Sequence, residues 1–253
     1  MTRPLAPALL FALALAGCDA AGPDDRPPAV IAPAAFAVDL GAFPDDGARV
    51  AAGANYLTSA ARVGVVSAVV GANLVLPEQA TRAAAGSRPD SSSGDGVFVW
   101  DATVDVFQND VRIRLTADVD GDDVGWALTT ENESDGLDDG PFTYYTAETS
   151  FDGREGTWRL FNPGVESPVL TATFDVDDSP EVTFAVPEGR DQAGARVRYE
   201  TDGTRRTFDF VDARWGRSLV VWDLVTGAGS VTADDYNGGE RACWDGDLDD
   251  VAC

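Results

Sequence analysis

Two hydrophobic periodicities divide this chain. The stretch from Val50 to Leu76 is apolar almost throughout, and Arg62 is its only charge. Its apolar residues fall all round a helical wheel rather than along one stripe. A helix apolar on every side is buried in a core or in a membrane. The uncharged part, Val63 to Pro77, is shorter than the roughly 20 residues that span a bilayer, and Ser67 and Asn73 interrupt it. The pattern therefore predicts a helix enclosed by the rest of the fold.

From Gly96 the period changes to two. Phe98, Trp100, Ala102, Val104 and Val106 fall on one face, with Asp101, Thr103 and Asp105 on the other. Val111, Ile113, Leu115, Ala117 and Val119 alternate in the same way with Arg112, Arg114, Thr116 and Asp118. Such alternation marks antiparallel strands with one face in a core. Further runs of strand character are 124–130, 142–150, 156–161, 169–176, 181–186, 195–201, 204–211, 218–225 and 229–232. Turn residues separate them, and Thr201-Asp202-Gly203-Thr204 predicts a tight hairpin. The count is about ten or eleven short strands at regular spacing. This predicts a mainly β fold, an antiparallel meander forming a curved sheet or open barrel around the N-terminal helix. The sheet's one apolar face must be covered, and the helix is the large apolar element available to cover it.

Local signals set the helix ends. Asp45 or Asp46 is a candidate N-cap, because an Asp side chain accepts the orphan N–H bonds of a first turn. Pro77 predicts a kink or an end, since proline lacks a donor and clashes with the preceding turn. A second helical piece, Glu78 to Ala85, runs up to Gly86, and Arg88 to Gly94 is a loop.

Composition narrows the chemistry. The formal net charge is −25, with 43 acids against 18 basic residues, and neither Lys nor His occurs. So acidic a surface repels nucleic acid and anionic lipid headgroups. The absence of His removes Ser-His-Asp and Cys-His machinery and His-ligated zinc. The absence of Lys removes Schiff bases and Ser-Lys dyads. Only carboxylate chemistry remains, as an acid pair or an Asp-bound metal. No carboxylate pair stands out among so many, so the expectation is a protein that is not an enzyme and needs no cofactor.

The N-terminus carries an address. Arg3 precedes an apolar run, Leu5 to Ala16, and the segment ends Leu15-Ala16-Gly17-Cys18. That ending resembles the lipobox of bacterial lipoproteins. The resemblance implies cleavage before Cys18, acylation of its thiol, and a membrane partner reached through the lipid. It implies a cell-envelope location, expected here at the outer membrane, periplasmic or surface-exposed, although Asp19 after the lipidated Cys is the inner-membrane retention signal of the enterobacterial sorting rule. Residues 1–17 are then a signal peptide and 18–38 a flexible Pro/Ala/Asp tether. Residues 39–94 form a helical segment packed on the sheet, and 95–253 the β domain. With Cys18 assigned to lipid, Cys243 and Cys253 pair in one way, and an oxidising compartment favours the disulfide.

The tail Cys243-Trp-Asp-Gly-Asp-Leu-Asp-Asp-Val-Ala-Cys253 resembles the ending of a group of uncharacterised lipoproteins from marine and salt-tolerant bacteria. Gly227-Ala228-Gly229 matches that group's preceding turn. The resemblance implies no activity. By architecture alone the layout is similar to periplasmic lipoprotein carriers, which fold an open barrel with helices inside.

Several residue groups remain as candidates. Asp118-Val-Asp120-Gly-Asp122-Asp123 has alternating carboxylates but lacks the sixth-position Gly and twelfth-position Glu of an EF-hand. It reads better as an acidic hairpin. Asp245-Gly-Asp247-Leu-Asp249-Asp250 could hold calcium inside the disulfide loop, or simply turn the chain. Glu131 to Gly140 reads as a solvated acidic loop. Trp100, Trp126, Trp158 and Trp222 belong on the inner face, either packed on the helix or lining a cavity for an apolar small molecule or lipid. Arg112, Arg114, Arg196 and Arg198 alternate onto the outer face, as a docking stripe or as cross-strand ion pairs. Two function classes follow: a carrier or sensor of an apolar ligand, and a structural or interaction module of the envelope. A void of several hundred Å³ beside the helix separates them.

Overall fold

The computed structural model describes residues 26–30, 52–92, 95–106, 109–131, 141–177, 180–190, 192–212 and 216–253. Cys18, the candidate caps Asp45 and Asp46, and residues 132–140 of the acidic loop lie outside these. Among the described residues one α-helix, α1 (Ala54–Ala85), precedes fourteen strands. These are β1 (Ser91–Ser92), β2 (Val97–Val106), β3 (Asn109–Asp120), β4 (Asp123–Glu131), β5 (Phe142–Ser150), β6 (Glu155–Leu160) and β7 (Leu170–Asp175). They continue as β8 (Glu181–Ala185), β9 (Arg196–Asp202), β10 (Arg205–Asp212), β11 (Gly216–Asp223), β12 (Gly229–Ala233), β13 (Ala242–Trp244) and β14 (Asp250–Val251). Each strand pairs antiparallel with its sequence neighbours in a single open meander. β2 to β12 correspond one for one to the eleven runs of alternating sequence. The hairpins turn as their sequences demand. Asp202 pairs with Arg205 across Gly203, whose φ is +54°, and Asp120 pairs with Asp123 across Gly121, at +64°.

One row of side chains explains the packing. Across neighbouring strands the inner face reads Phe98, Ala117, Trp126, Ala147, Trp158, Ala172, Phe184, Val197, Phe210. Large and small residues alternate strand by strand, so each ring lies over the small neighbours beside it. Such alternation fills a concave face without crowding. Beyond Phe210 the row ends in two small residues, Ser218 and Ala233. There the helix inserts Arg62, whose Nη1 donates to Ser218 Oγ at 2.7 Å and whose Nη2 meets Asp235 at 2.6 Å. The helix's one central charge is thus buried and partnered.

The sheet bows around α1. The helix touches β12, β13 and β14 near one edge of the sheet and β2 and β3 near the other. Between Arg62, at β11, and Asn73, at β5, it rises only about 16 Å. The same interval covers six strand spacings, about 29 Å along the sheet. Only a curved sheet reconciles the two lengths.

The helix differs from expectation in three respects. It is not enclosed. Tyr56, Ser59, Val63, Val70, Pro77, Ala80 and Ala84 are buried along one stripe, while Leu57, Val65 and Val69 are 41%, 51% and 60% exposed. The sheet curves under one side only, and the outer side stays apolar and uncovered by the described residues. By length and composition α1 could cross a membrane, and only 22% of its most apolar window is buried, unlike a helix enclosed in a core.

Pro77 does not end or divide the helix. It leaves the Asn73 carbonyl without its usual donor four residues on. The Tyr144 hydroxyl supplies that bond, donating to Asn73 O at 3.1 Å. A bulge opposite Leu128 and Thr129 makes Tyr144 the extra residue of β5 and turns its ring inward.

The N-terminal cap comes from the far end of the chain. Ala54 N and Asn55 N donate to Asp250 at 3.1 and 2.9 Å, and Gly53 N to Leu248 O at 2.8 Å. A side chain at position 53 would collide with Asp250, so Gly is required there. The tail is held by the Cys243–Cys253 disulfide, with Cα atoms 5.3 Å apart. Trp244 packs edge-on to Tyr56. The short strands β1, β13 and β14 carry too little alternation to be visible in sequence.

Two outcomes follow. Tyr144→Phe should lower stability by about 1 kcal/mol. In a Pro77→Ala background, where an amide N–H replaces the hydroxyl, the same change should cost much less. Urea unfolding of the four proteins measures this coupling. Asp250→Ala should cost about 1–2 kcal/mol as a lost cap. Reducing the disulfide should cost about 2–3 kcal/mol. Unfolding midpoints unchanged by both treatments would detach the tail from the helix.

Candidate functional site

A cavity of about 350 Å³ lies between α1 and the strands β7 to β10. Its roof is Val65, Val66, Val69 and Val70, consecutive turns of the helix. Its floor continues the alternating row, with Phe184, Val197 and Phe210, joined by Leu170, Val186 and Ala195. Gln192, Arg196, Val211 and Asp212 complete the rim. Phe184 and Phe210 hold the large positions of the row here, where Trp126 and Trp158 hold them nearer β2. Exposed Val65 and Val69 mark its mouth. The volume is at the small end of the range for ligand pockets, about 300–1,000 Å³.

The four tryptophans do not line this cavity. Each is at most 3% exposed and packs against a neighbouring ring. Trp100 stacks on Trp126 with centroids 6.1 Å apart, Tyr145 on Trp158 at 4.7 Å, and Tyr199 tilts on Trp222 at 6.3 Å. They serve the core, and valines take the place expected for them. The signal for those valines was present in the helix, but no feature of the sequence says which turn lies over which strand.

The candidate arginines form no continuous stripe. β3 and β9 are separated by five strands, so Arg112 and Arg114 are remote from Arg196 and Arg198. Arg114 grips Asp101 with two bonds, of 2.8 and 3.0 Å. Arg198 meets Glu181 at 2.7 Å and Glu200 at 3.2 Å. A wider concavity of about 640 Å³ is lined by Asp101, Arg112 and Arg114 together with Ala102, Thr103, Ile113, Thr129 and Pro141.

The tail's acidic motif serves the backbone, and Asp118 to Asp123 form the β3–β4 hairpin. Asp245 Oδ1 accepts from Asp247 N at 3.0 Å and Asp249 N at 3.1 Å, while Asp250 caps the helix. Among the described residues no three Asp, Glu, Cys or His side chains converge on a metal-sized site. The carboxylates that shift do so downward. The Arg114 guanidinium holds Asp101 below its ordinary value. The Ser150 hydroxyl lowers Asp152, with help from the Arg154 N–H and charge. Asp223 falls from 3.8 to about 2, because the Thr204 hydroxyl and the N–H groups of Thr226 and Val225 favour its charged form. A general acid needs the opposite, a raised carboxylate. Burial raises Tyr145 far above its ordinary value and raises Tyr144 as well.

The sign for Asp223 is definite. Its folded value is depressed, so its contribution is present above the unfolded value and lost as pH falls toward about 2. The stability gap between the parent and Asp223→Asn should be constant above about pH 5 and close between about pH 4 and pH 2. Urea midpoints across that range test it, and a gap independent of pH would contradict it.

No family model, no curated protein and no solved structure matches this chain, so its functional reading rests on the cavity.

Proposed function

We propose that this protein is a lipid-anchored lipoprotein of the bacterial cell envelope that binds an apolar molecule between its helix and its sheet, and that it is not an enzyme. The observation that carries the reading is the cavity, walled by four valines above and by Phe184, Val197 and Phe210 below. A void lined by apolar side chains gains free energy when apolar surface replaces water. The absence of His and Lys from the sequence and the downward shifts of Asp101, Asp152 and Asp223 support a binding role. The lipobox-like Leu15-Ala16-Gly17-Cys18 supports the anchor and a place in the cell envelope. The second reading is an interaction module. One observation favours it: the outer side of α1 exposes Leu57, Val65 and Val69 with no charge between Arg62 and Glu78.

Two experiments test these statements. The domain should bind N-phenyl-1-naphthylamine with a fluorescence increase. Val66→Trp, which fills the cavity from its roof, should reduce that binding at least tenfold while the far-ultraviolet spectrum stays unchanged. Equal binding by both would remove the cavity from the function. Cys18→Ser should release the protein to the soluble fraction, since stable attachment takes more than one acyl chain. Full retention on membranes would remove the anchor.

A further inference from the structure

We infer that the exposed side of α1 is a docking face for an uncharged lipid surface, and that docking sets the mouth of the cavity against that surface. The inference rests on the cavity proposed above for what the mouth admits, and it does not depend on the anchor.

Leu57, Ala61, Val65, Ala68, Val69 and Ala72 are exposed and share one side of the helix. That side is uncharged along its length. Arg62, the one charge in the interval, turns away and is buried against Ser218 and Asp235. Charges resume at the two ends, with Asp250 at the N-terminal cap and the Glu78–Arg82 pair beyond Pro77.

The helix lies along such a surface and does not cross it. Its inner side is bonded to the rest of the fold at three places. Asp250 caps Ala54, Arg62 reaches Ser218, and Tyr144 donates to Asn73 O. Leaving the sheet would break all three bonds and bare the apolar inner row to water.

Size and charge choose the occupant. From Leu57 to Ala72 the stripe is about 23 Å long and about 10 Å wide, roughly 230 Å² in all. A stable interface between two proteins takes about 800 Å² from each partner. A second copy would also bring a second formal charge of −25 against the first. A bilayer sets no such minimum, because each apolar side chain that leaves water contributes by its own area. The net charge selects among bilayers as well, since anionic headgroups repel it and zwitterionic ones do not.

The docking face and the cavity are continuous. Val65 and Val69 belong both to the exposed stripe and to the cavity lining. Apolar surface therefore runs unbroken from the lipid side into the space under Val66 and Val70. An apolar molecule passes along it without crossing water.

The test uses the chain from Asp19 to Cys253, which contains every described element and lacks Cys18. It should float with phosphatidylcholine vesicles. Leu57→Asp, exposed and outside the cavity lining, should lower the floated fraction at least about fivefold and leave naphthylamine binding unchanged. Replacing a third of the lipid by phosphatidylglycerol should lower it about threefold or more at low salt. A bimane dye on Val69→Cys, at the mouth, should be quenched by nitroxide-bearing lipid. One on Thr173→Cys, exposed on the opposite face of the sheet, should not. No flotation of the parent, binding that rises with phosphatidylglycerol, or equal quenching at both positions would overturn the inference. So would a parent that sediments as a dimer and is made monomeric by Leu57→Asp. The cavity reading fails separately, if the parent binds no naphthylamine probe in the absence of vesicles.

Discussion

The inner row of alternating large and small side chains is the constraint on which the structure depends. A sheet of β-strands can carry rings on every strand only if it stays open and flat. Here Ala117, Ala147 and Ala172 sit between Phe98, Trp126, Trp158 and Phe184, so the rings converge as the sheet bends. Bending brings both edges toward one helix, and that helix then supplies the covering the apolar face requires. Under Val66 and Val70 the large positions of the row pass from tryptophan to Phe184 and Phe210, and the cavity lies over them.

Helix and sheet are tied by bonds between residues distant in sequence. Asp250 caps Ala54 from 196 residues away, and Arg62 reaches Ser218 across 156. Tyr144 completes the carbonyl that Pro77 leaves bare. Each repairs a local weakness: an uncapped start, a lone charge in an apolar run, a proline in mid-helix. A helix with such faults would be marginal alone. It persists because the sheet supplies what its own sequence lacks, and the disulfide keeps the capping tail in place.

The sequence made the strands legible because alternation is a local property. Phe98 to Val106 announces its inner and outer faces without reference to anything else. The hairpin at Gly203 was equally plain, since a positive φ in a two-residue turn demands glycine. The helix was legible as an element but not in its burial. Val65 and Val63 look alike in sequence, and only the direction of the sheet's curvature makes one exposed and the other buried. The cap was sought among nearby aspartates, whereas the acid used lies in the last four residues of the chain. The tryptophans were reasonable candidates for a cavity by size. Their size is also why they fill their places in the core.

In the proposed function the cavity between α1 and the sheet is the binding site. The central claim is that an apolar molecule occupies the space under Val66 and Val70 in the cell. The direct measurement is organic extraction and mass spectrometry of the protein purified from its own cells, parent beside Val66→Trp. The account predicts a defined apolar species, small enough for about 350 Å³, in near-stoichiometric amount with the parent and depleted in the variant. No such species, or equal amounts with both proteins, would contradict it.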